Sequence, residues 1–186
     1  MIRGGDAAAV VAGEVDTPDR MVGDVNFFLY PYDEEDDEGA DGSGGPTSRA
    51  PRLCVGEVDV MIADAKDRGR GLGKATVSAF LQYILRNLDG ILAEYRLDGS
   101  DEVPDASDRE VALKLLMAKI KADNSGSLAL FKSLGFQQEG DVNYFGEVKL
   151  VLHDLNVIRE KLPDGYSEFV YHRPEPNSDA TQRLSS

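Results

Sequence analysis

The sequence predicts a mixed α/β domain, and three features carry that expectation. β-rich apolar runs alternate with helical stripes in the order β, β, α, β, α, β. A glycine-rich turn, Arg68-Gly69-Arg70-Gly71-Leu72-Gly73-Lys74, stands between a strand and a helix, where backbone amides converge. The chain of 186 residues holds one ordinary domain and not two, and it shows no repeat at any period.

Gly4 to Val15 supplies one strand at most. Met21 to Tyr30 (MVGDVNFFLY) and Leu53 to Ala63 (LCVGEVDVMIA) read as strands that pair antiparallel. The connection between them, Asp33 to Pro51, starts with six consecutive acidic residues and continues in glycine, serine and proline. Such a block repels itself and solvates well, so it is expected to be a mobile insertion outside the catalytic machinery. The competing reading is that its charge steers basic substrates inward. From Gly73 to Leu88, the residues Val77, Phe80, Leu81, Ile84, Leu85 and Leu88 fall three and four apart and form one helical stripe. Asp98 to Arg109 reads as a second solvent-exposed insertion. Leu113 to Ala122 (LKLLMAKIKA) alternates at its end, with Met117 and Lys119 on one side and Ala118 and Ile120 on the other. That reads as a strand, with a helix as the competing reading. Asn124 to Leu134 is a helix capped by Asn124 or Ser125 and closed by a left-handed Gly135. Val142 to Leu152 is the last strand, and the segment from Pro174 is a polar tail. These divisions give a variable segment 1–20, a core 21–155 interrupted at 33–51 and 98–109, and an extension 156–186.

Charge and rare residues narrow the chemistry. With 34 acidic and 20 basic side chains, the net charge is −14 and the pI is about 4.5. Nucleic acids and anionic membranes need a basic face, so neither is an expected partner. Basic proteins or peptides remain open. The one cysteine, Cys54, excludes an internal disulfide and a multi-cysteine zinc site, and its plain reading is a buried small apolar residue. His153 and His172 lie far apart, so no metal is expected and a Ser-His-Asp hydrolase is disfavoured. The start lacks the pattern of a signal peptide and no apolar run is long enough to span a bilayer, which makes the cytoplasm the default compartment.

The glycine turn fits two familiar motifs badly. A Walker A loop needs Ser or Thr after Gly-Lys and an earlier glycine where Arg68 stands, but Ala75 follows Lys74. A dinucleotide-binding turn needs a third glycine where Lys74 stands. What fits is Arg-x-x-Gly-x-Gly, and here the chain resembles the GNAT superfamily of acyl-CoA-dependent N-acyltransferases. The second half of the resemblance is Asn124-Ser125-Gly126-Ser127-Leu128-Ala129-Leu130-Phe131-Lys132-Ser133-Leu134-Gly135-Phe136, an Asn opening a helix that closes on Gly-Phe. Within the superfamily, MVGDVNFFL, GEVDVMIA with its RGRGLG turn, and FGEVKLVL look like the N-acetyltransferase 9 family.

That resemblance implies a GNAT-type acyl-CoA N-acyltransferase fold, a mixed twisted sheet with flanking helices. Twenty residues precede Met21, so the superfamily's first strand and first two helices are expected to be missing. It also implies acetyl-CoA as co-substrate. Pantetheine would lie beside Met61, Ile62 and Ala63, with the Met61 amide as a donor to the developing oxyanion. The amides of Gly69, Arg70, Gly71, Leu72, Gly73 and Lys74 would hold the pyrophosphate, with no Cβ at Gly71 or Gly73 to block it, and Arg68 and Arg70 would add charged contacts. Asn124 would touch the cofactor or simply cap its helix. Phe131 belongs to the cofactor-side set, where many relatives carry a tyrosine acid that this chain lacks.

Glu57 lies four residues before Met61, so strand alternation puts both on one face, and Glu57 is the candidate general base, working through water. A plain polar residue on an exposed face is the competing reading. Tyr144 and Glu147 are alternative acceptor-side contacts. By the same resemblance the acceptor is an amine of a protein or peptide, an α-amino terminus, with tubulin proposed for the family. A small-molecule amine acetyltransferase and a non-catalytic CoA-fold binding protein are the alternatives.

Overall fold

The computed structural model describes residues 10–13, 17–32, 51–98, 110–161 and 166–173. The expected insertions, within 33–50 and 99–109, and the tail from Pro174 lie outside the described residues. The chain forms two units, one of residues 23–164 and one combining 1–22 with 165–186. In the smaller unit, β1 (Val10–Val11) pairs parallel with β7 (Tyr171–His172).

The larger unit holds one five-stranded mixed sheet in the order β2-β3-β4-β6-β5. Its strands are β2 (Gly23–Pro31), β3 (Arg52–Ile62), β4 (Val111–Lys121), β5 (Gln137–Glu139) and β6 (Glu147–Leu152). The predicted antiparallel pairing of the first two runs is present, with Phe28 opposite Glu57. The short β5 was not foreseen, because QQE carries no apolar signal. The last strand is shorter than expected. Residues 142–146 form a turn that precedes β6, closed by Gly146 at φ 73° and by Asn143, whose Oδ1 accepts from the amides of Phe145 and Glu147 at 2.9 Å.

Helix α1 (Leu72–Asp98) contains the whole predicted stripe and runs ten residues past Leu88. The stripe continues through Ile91 and reaches Tyr95, whose ring lies 5.3 Å from the Arg52 guanidinium carbon. Polar Asn87, Asp89 and Gly90 look like a stop in sequence, yet the apolar side persists across them. Helix α2 (Ser125–Ser133) is capped as predicted: the Asn124 side chain accepts from the Ser127 amide at 3.1 Å, and Gly135 follows at φ 102°. A third helix, α3 (Leu155–Lys161), was not foreseen; Asp154 opens it and Ile158 is fully buried.

Both longer helices pack against one face of the sheet. Val77, Leu81 and Ile84 of α1, and Phe131 and Leu134 of α2, share a core with Val58, Leu116, Ala118, Ile120, Val148, Leu150 and Leu152. The other face carries a smaller cluster of Val55, Leu115, Met117 and Val151. β4 supplies both by alternation, and a register slip between Cys54 and Val55 leaves Lys114 without a β3 partner, so that Leu113 joins the first cluster and Leu115 the second. The slip is why alternation is visible only at the end of LKLLMAKIKA, and why a helix competed there.

Two glycines in these elements make opposite predictions. A Cβ on Gly56 would overlap the Phe27 ring and come within 2.9 Å of Leu116, whereas one on Gly90, inside α1, meets nothing within 4 Å. Gly56→Ala should lower stability by about 1–3 kcal/mol through overpacking. Gly90→Ala should raise it by about 0.5–1 kcal/mol through helix propensity. Urea midpoints of the two variants against the parent check both signs.

Candidate active site: a cleft at the parted strands

The site begins where two parallel strands stop pairing. β3 and β4 keep register as far as Glu57 opposite Met117. Beyond that rung β3 continues to Ile62 bonded only to β2, and β4 to Lys121 bonded only to β6. The backbone groups facing the gap therefore have no strand partner, and such groups need a ligand, water or side chain. An ion pair lies diagonally across the fork: Lys119 Nζ donates to Glu57 Oε2 at 2.9 Å.

Two cavities meet at the gap. The larger, about 760 Å³, lies between Val60, Met61 and Ile62, the turn from Asp67 to Lys74, and the start of α2 at Asn124, Gly126 and Ser127. A smaller one of about 190 Å³ sits between the strands themselves, lined by Val58, Asp59 and Val60 on one side and Lys119, Ile120 and Lys121 on the other. Both are bordered by Val60, Asn124 and Ser127.

The turn shapes the larger cleft. Gly69 and Gly71 hold φ of 70° and 83°, a left-handed backbone that glycine adopts without strain. At Gly73 the constraint is different: a Cβ there would come 3.3 Å from Leu130 Cδ1, so the missing side chain lets the starts of α1 and α2 approach. The first helical bond of α1 runs from the Ala75 amide to the Gly71 carbonyl at 3.0 Å. The amides of Leu72, Gly73 and Lys74 thus stand without helical acceptors at the cleft wall.

Arg68 braces this arrangement. Its Nε donates to the Ile62 carbonyl at 2.8 Å and its Nη2 to the Ala63 carbonyl at 2.9 Å, tying the turn to the end of β3. Two of its five donors are used on backbone. Arg70 donates to Asp67 Oδ1 at 3.0 Å on the surface, and Lys74 has no ion-pair partner among the described residues.

Glu57 and Met61 share a face, as alternation predicts, but in different settings. Glu57 is buried and held by Lys119, while Met61 is 51% exposed at the lip of the cleft. The hydrogen bond to Glu57, opposed by partial burial, holds the Lys119 ammonium above its usual range. Phe131 sits in the core at 2% exposure, edge-on to Phe136 with centroids 5.1 Å apart, and reaches only the smaller cavity. Tyr144 is 97% exposed in the turn before β6, not on the strand. Glu147 opens β6 beside Lys121 Nζ at 3.1 Å, and its hydrogen bonds from Lys121 and Asn143 lower its carboxyl below the usual range.

One residue of the site was missed in the sequence. Asp59 alternates with Glu57 and Met61 along β3 and lines the inter-strand cavity. Asp59 is exposed to solvent on one side, yet partial desolvation, and then the Glu57 carboxylate, raise its carboxyl above the usual carboxylate range, with Lys119 pulling the other way. The acidic-apolar alternation of Glu57-Val58-Asp59-Val60-Met61 was the available signal. It looked like a solvated strand face, because the sequence does not reveal that the neighbouring strand departs there.

Fold and cleft together define a mixed-sheet α/β domain that opens a ligand cleft between parted parallel strands, under the starts of two helices. The chain belongs to the GNAT acetyltransferase family, whose domain description, "Acetyltransferase (GNAT) domain", matches residues 5–137. It is 27% identical over 155 residues to an N-acetyltransferase 9-like protein of Dictyostelium discoideum, a match covering 81% of this chain and 55% of that protein. It is 33% identical over 138 residues to the N-acetyltransferase 9-like protein of Schizosaccharomyces pombe, covering 71% and 56%. With the human alpha/beta-tubulin-N-acetyltransferase 9 it shares 33% over 132 residues, covering 71% and 44%. The chain spans about half the length of these relatives. Among the described residues no cluster of His, Cys, Asp and Glu has the form of a metal site, and no helix is long and apolar enough to cross a membrane.

Two side chains at or near the site have measurable consequences. Asn124→Ala removes the acceptor for the Ser127 amide and should cost about 1 kcal/mol, with Asn124→Ser recovering most of it. Chemical denaturation of the two variants reads this directly. Cys54 is fully buried, its Sγ lies 3.6 Å from the Ala112 carbonyl, and burial pushes its thiol up to about 11. The folded protein should resist a thiol-specific disulfide reagent at pH 8 and react fully once denatured, because only the thiolate attacks.

Proposed function

We propose that the chain is an acetyl-CoA-dependent N-acetyltransferase acting on an amine of a protein or peptide, an α-amino terminus in particular. The observation that carries this reading is the cleft of about 760 Å³ that joins the end of β3 to the turn and the α2 start. Its wall combines an exposed strand edge, which matches a linear amide-bearing arm, with unpaired helix-start amides, which match phosphate. The chemical demands of CoA fit the residues present.

In this reading the amides of Gly71 to Lys74 and the Lys74 ammonium hold the pyrophosphate, and Gly69 and Gly71 give the turn its shape. Arg68 acts mainly by locking the turn to Ile62 and Ala63. The backbone of Met61, Ile62 and Ala63 orients the thioester arm, with the Met61 amide as donor to the carbonyl oxygen as negative charge grows there. Asn124 presents the start of α2. The acceptor enters from the opposite face of the sheet, where Phe28, Tyr30 and Met61 are exposed, a broad surface better matched to a peptide than to a small enclosed amine. The similarity to the human alpha/beta-tubulin-N-acetyltransferase 9 supports a protein acceptor and makes tubulin the first substrate to try.

Paired substitutions separate charge from backbone strain in the test. Asp and Asn both tolerate positive φ, so Gly71→Asp and Gly71→Asn differ by one negative charge at the turn. Calorimetry with CoA should show micromolar to sub-millimolar binding by the parent, retention in Gly71→Asn, and at least a tenfold loss in Gly71→Asp. No binding by the folded parent at millimolar CoA would end the assignment. Mass spectrometry of N-terminal peptides and of small amines, each incubated with acetyl-CoA, then separates the protein acceptor from the small-molecule alternative.

A further inference from the structure

We propose that Asp59 is the general base of the reaction and that the Glu57–Lys119 pair is the device that positions it. The proposal rests on the acetyl-transfer reading above and names the group which that reading leaves open. Three observations separate Asp59 from its neighbour. Glu57 is buried with its carboxylate committed to Lys119 at 2.9 Å. That contact occupies a carboxylate oxygen which a substrate amine would otherwise use. Asp59, by contrast, makes no hydrogen bond or ion pair among the described residues, and it stands two residues past Glu57, the last rung of β3 and β4. It lines the inter-strand cavity, which shares Val60, Asn124 and Ser127 with the cofactor cleft, so a proton leaving an amine in the gap has a short route to it.

Charged groups face Asp59 from four strands: Asp24 of β2, Glu57 of β3, Lys119 of β4 and Glu147 of β6. Burial and the carboxylates favour its protonated form, and Lys119 favours the ionised form. The balance moves its carboxyl toward the working pH of a base. In the reaction the acceptor arrives as an ammonium and Asp59 takes one proton from it. The freed nitrogen pair forms the C–N bond to the thioester carbonyl carbon, and the C–S bond breaks with its electrons on sulfur. The thiolate takes the second nitrogen proton, and Asp59 returns its own to water.

The test uses the full chain with acetyl-CoA and an accepted peptide. Asp59→Asn should lower kcat about 100-fold or more, while CoA affinity by calorimetry stays within threefold of the parent, since Asp59 is not in the cofactor wall. The acidic limb of the kcat/KM profile should vanish in Asp59→Asn and return in Asp59→Glu. Lys119→Met removes the ammonium that favours the ionised carboxylate, so that limb should move to higher pH; Glu57→Gln removes a neighbouring negative charge and should move it lower. An Asp59→Asn protein that keeps kcat within threefold, or keeps the acidic limb, overturns the proposal and leaves the acetyltransferase assignment standing. A parent that binds CoA yet acetylates no amine overturns the assignment itself, and the base with it.

Discussion

Everything at the site follows from the place where β3 and β4 stop sharing hydrogen bonds. Parallel strands that part leave a row of backbone donors and acceptors facing each other too far apart to bond, and those groups cannot stay dry and unpaired. The protein spends this constraint on a ligand cleft. The fork sits after Glu57 and Met117, and the Lys119 ammonium reaches back across it to Glu57. Opposite charges at a diagonal cross-strand position mark where the zipper ends. Past it, β2 and β6 hold the two strands on their outer sides, so the gap widens without either strand fraying.

Two further features stabilise the parted ends. Arg68 satisfies the carbonyls of Ile62, the last residue of β3, and of Ala63 just past it. From the helical side, Phe131 enters the region below the fork, and its edge-on contact with Phe136 anchors the C-terminal end of α2 to the core. Gly73 completes the geometry by letting α1 approach Leu130 of α2. The α1 start then points its unpaired amides at a space that the capped start of α2 also borders.

The charge distribution on the opposite face has the same origin. A strand face inside a sheet is flanked by neighbours on both sides, so its side chains pack, as Val55, Leu115, Met117 and Val151 do. Past the fork the face opens, and the residues there are charged: Asp59, Lys119, Lys121 and Glu147. Desolvation and the Glu57 carboxylate raise the Asp59 carboxyl, the hydrogen bond to Glu57 raises the Lys119 ammonium, and the hydrogen bonds from Lys121 and Asn143 lower the Glu147 carboxyl.

Local chemistry made much of this legible. The stripe of α1, the Asn124 cap, Gly135 and the turn from Arg68 to Lys74 are set by neighbours a few residues away, and the pairing of the first two runs by alternation within each run, so these are readable one segment at a time. What the sequence determined by itself was the set of elements and the motif at each helix start. Tertiary structure decided the rest, since each of those outcomes depends on a partner distant in the chain. The register slip at Lys114 exists only against Cys54 and Val55. α1 continues through Gly90 because Ile91 still meets the core, and α3 exists because Ile158 finds the same core. Phe131 became a core ring because Phe136 and the sheet enclose it. Glu57 and Asp59 differ in setting because Lys119, sixty-two residues from Glu57, hydrogen-bonds one carboxylate and not the other. Electrostatic pairing acts through space, and no periodicity along the chain encodes it.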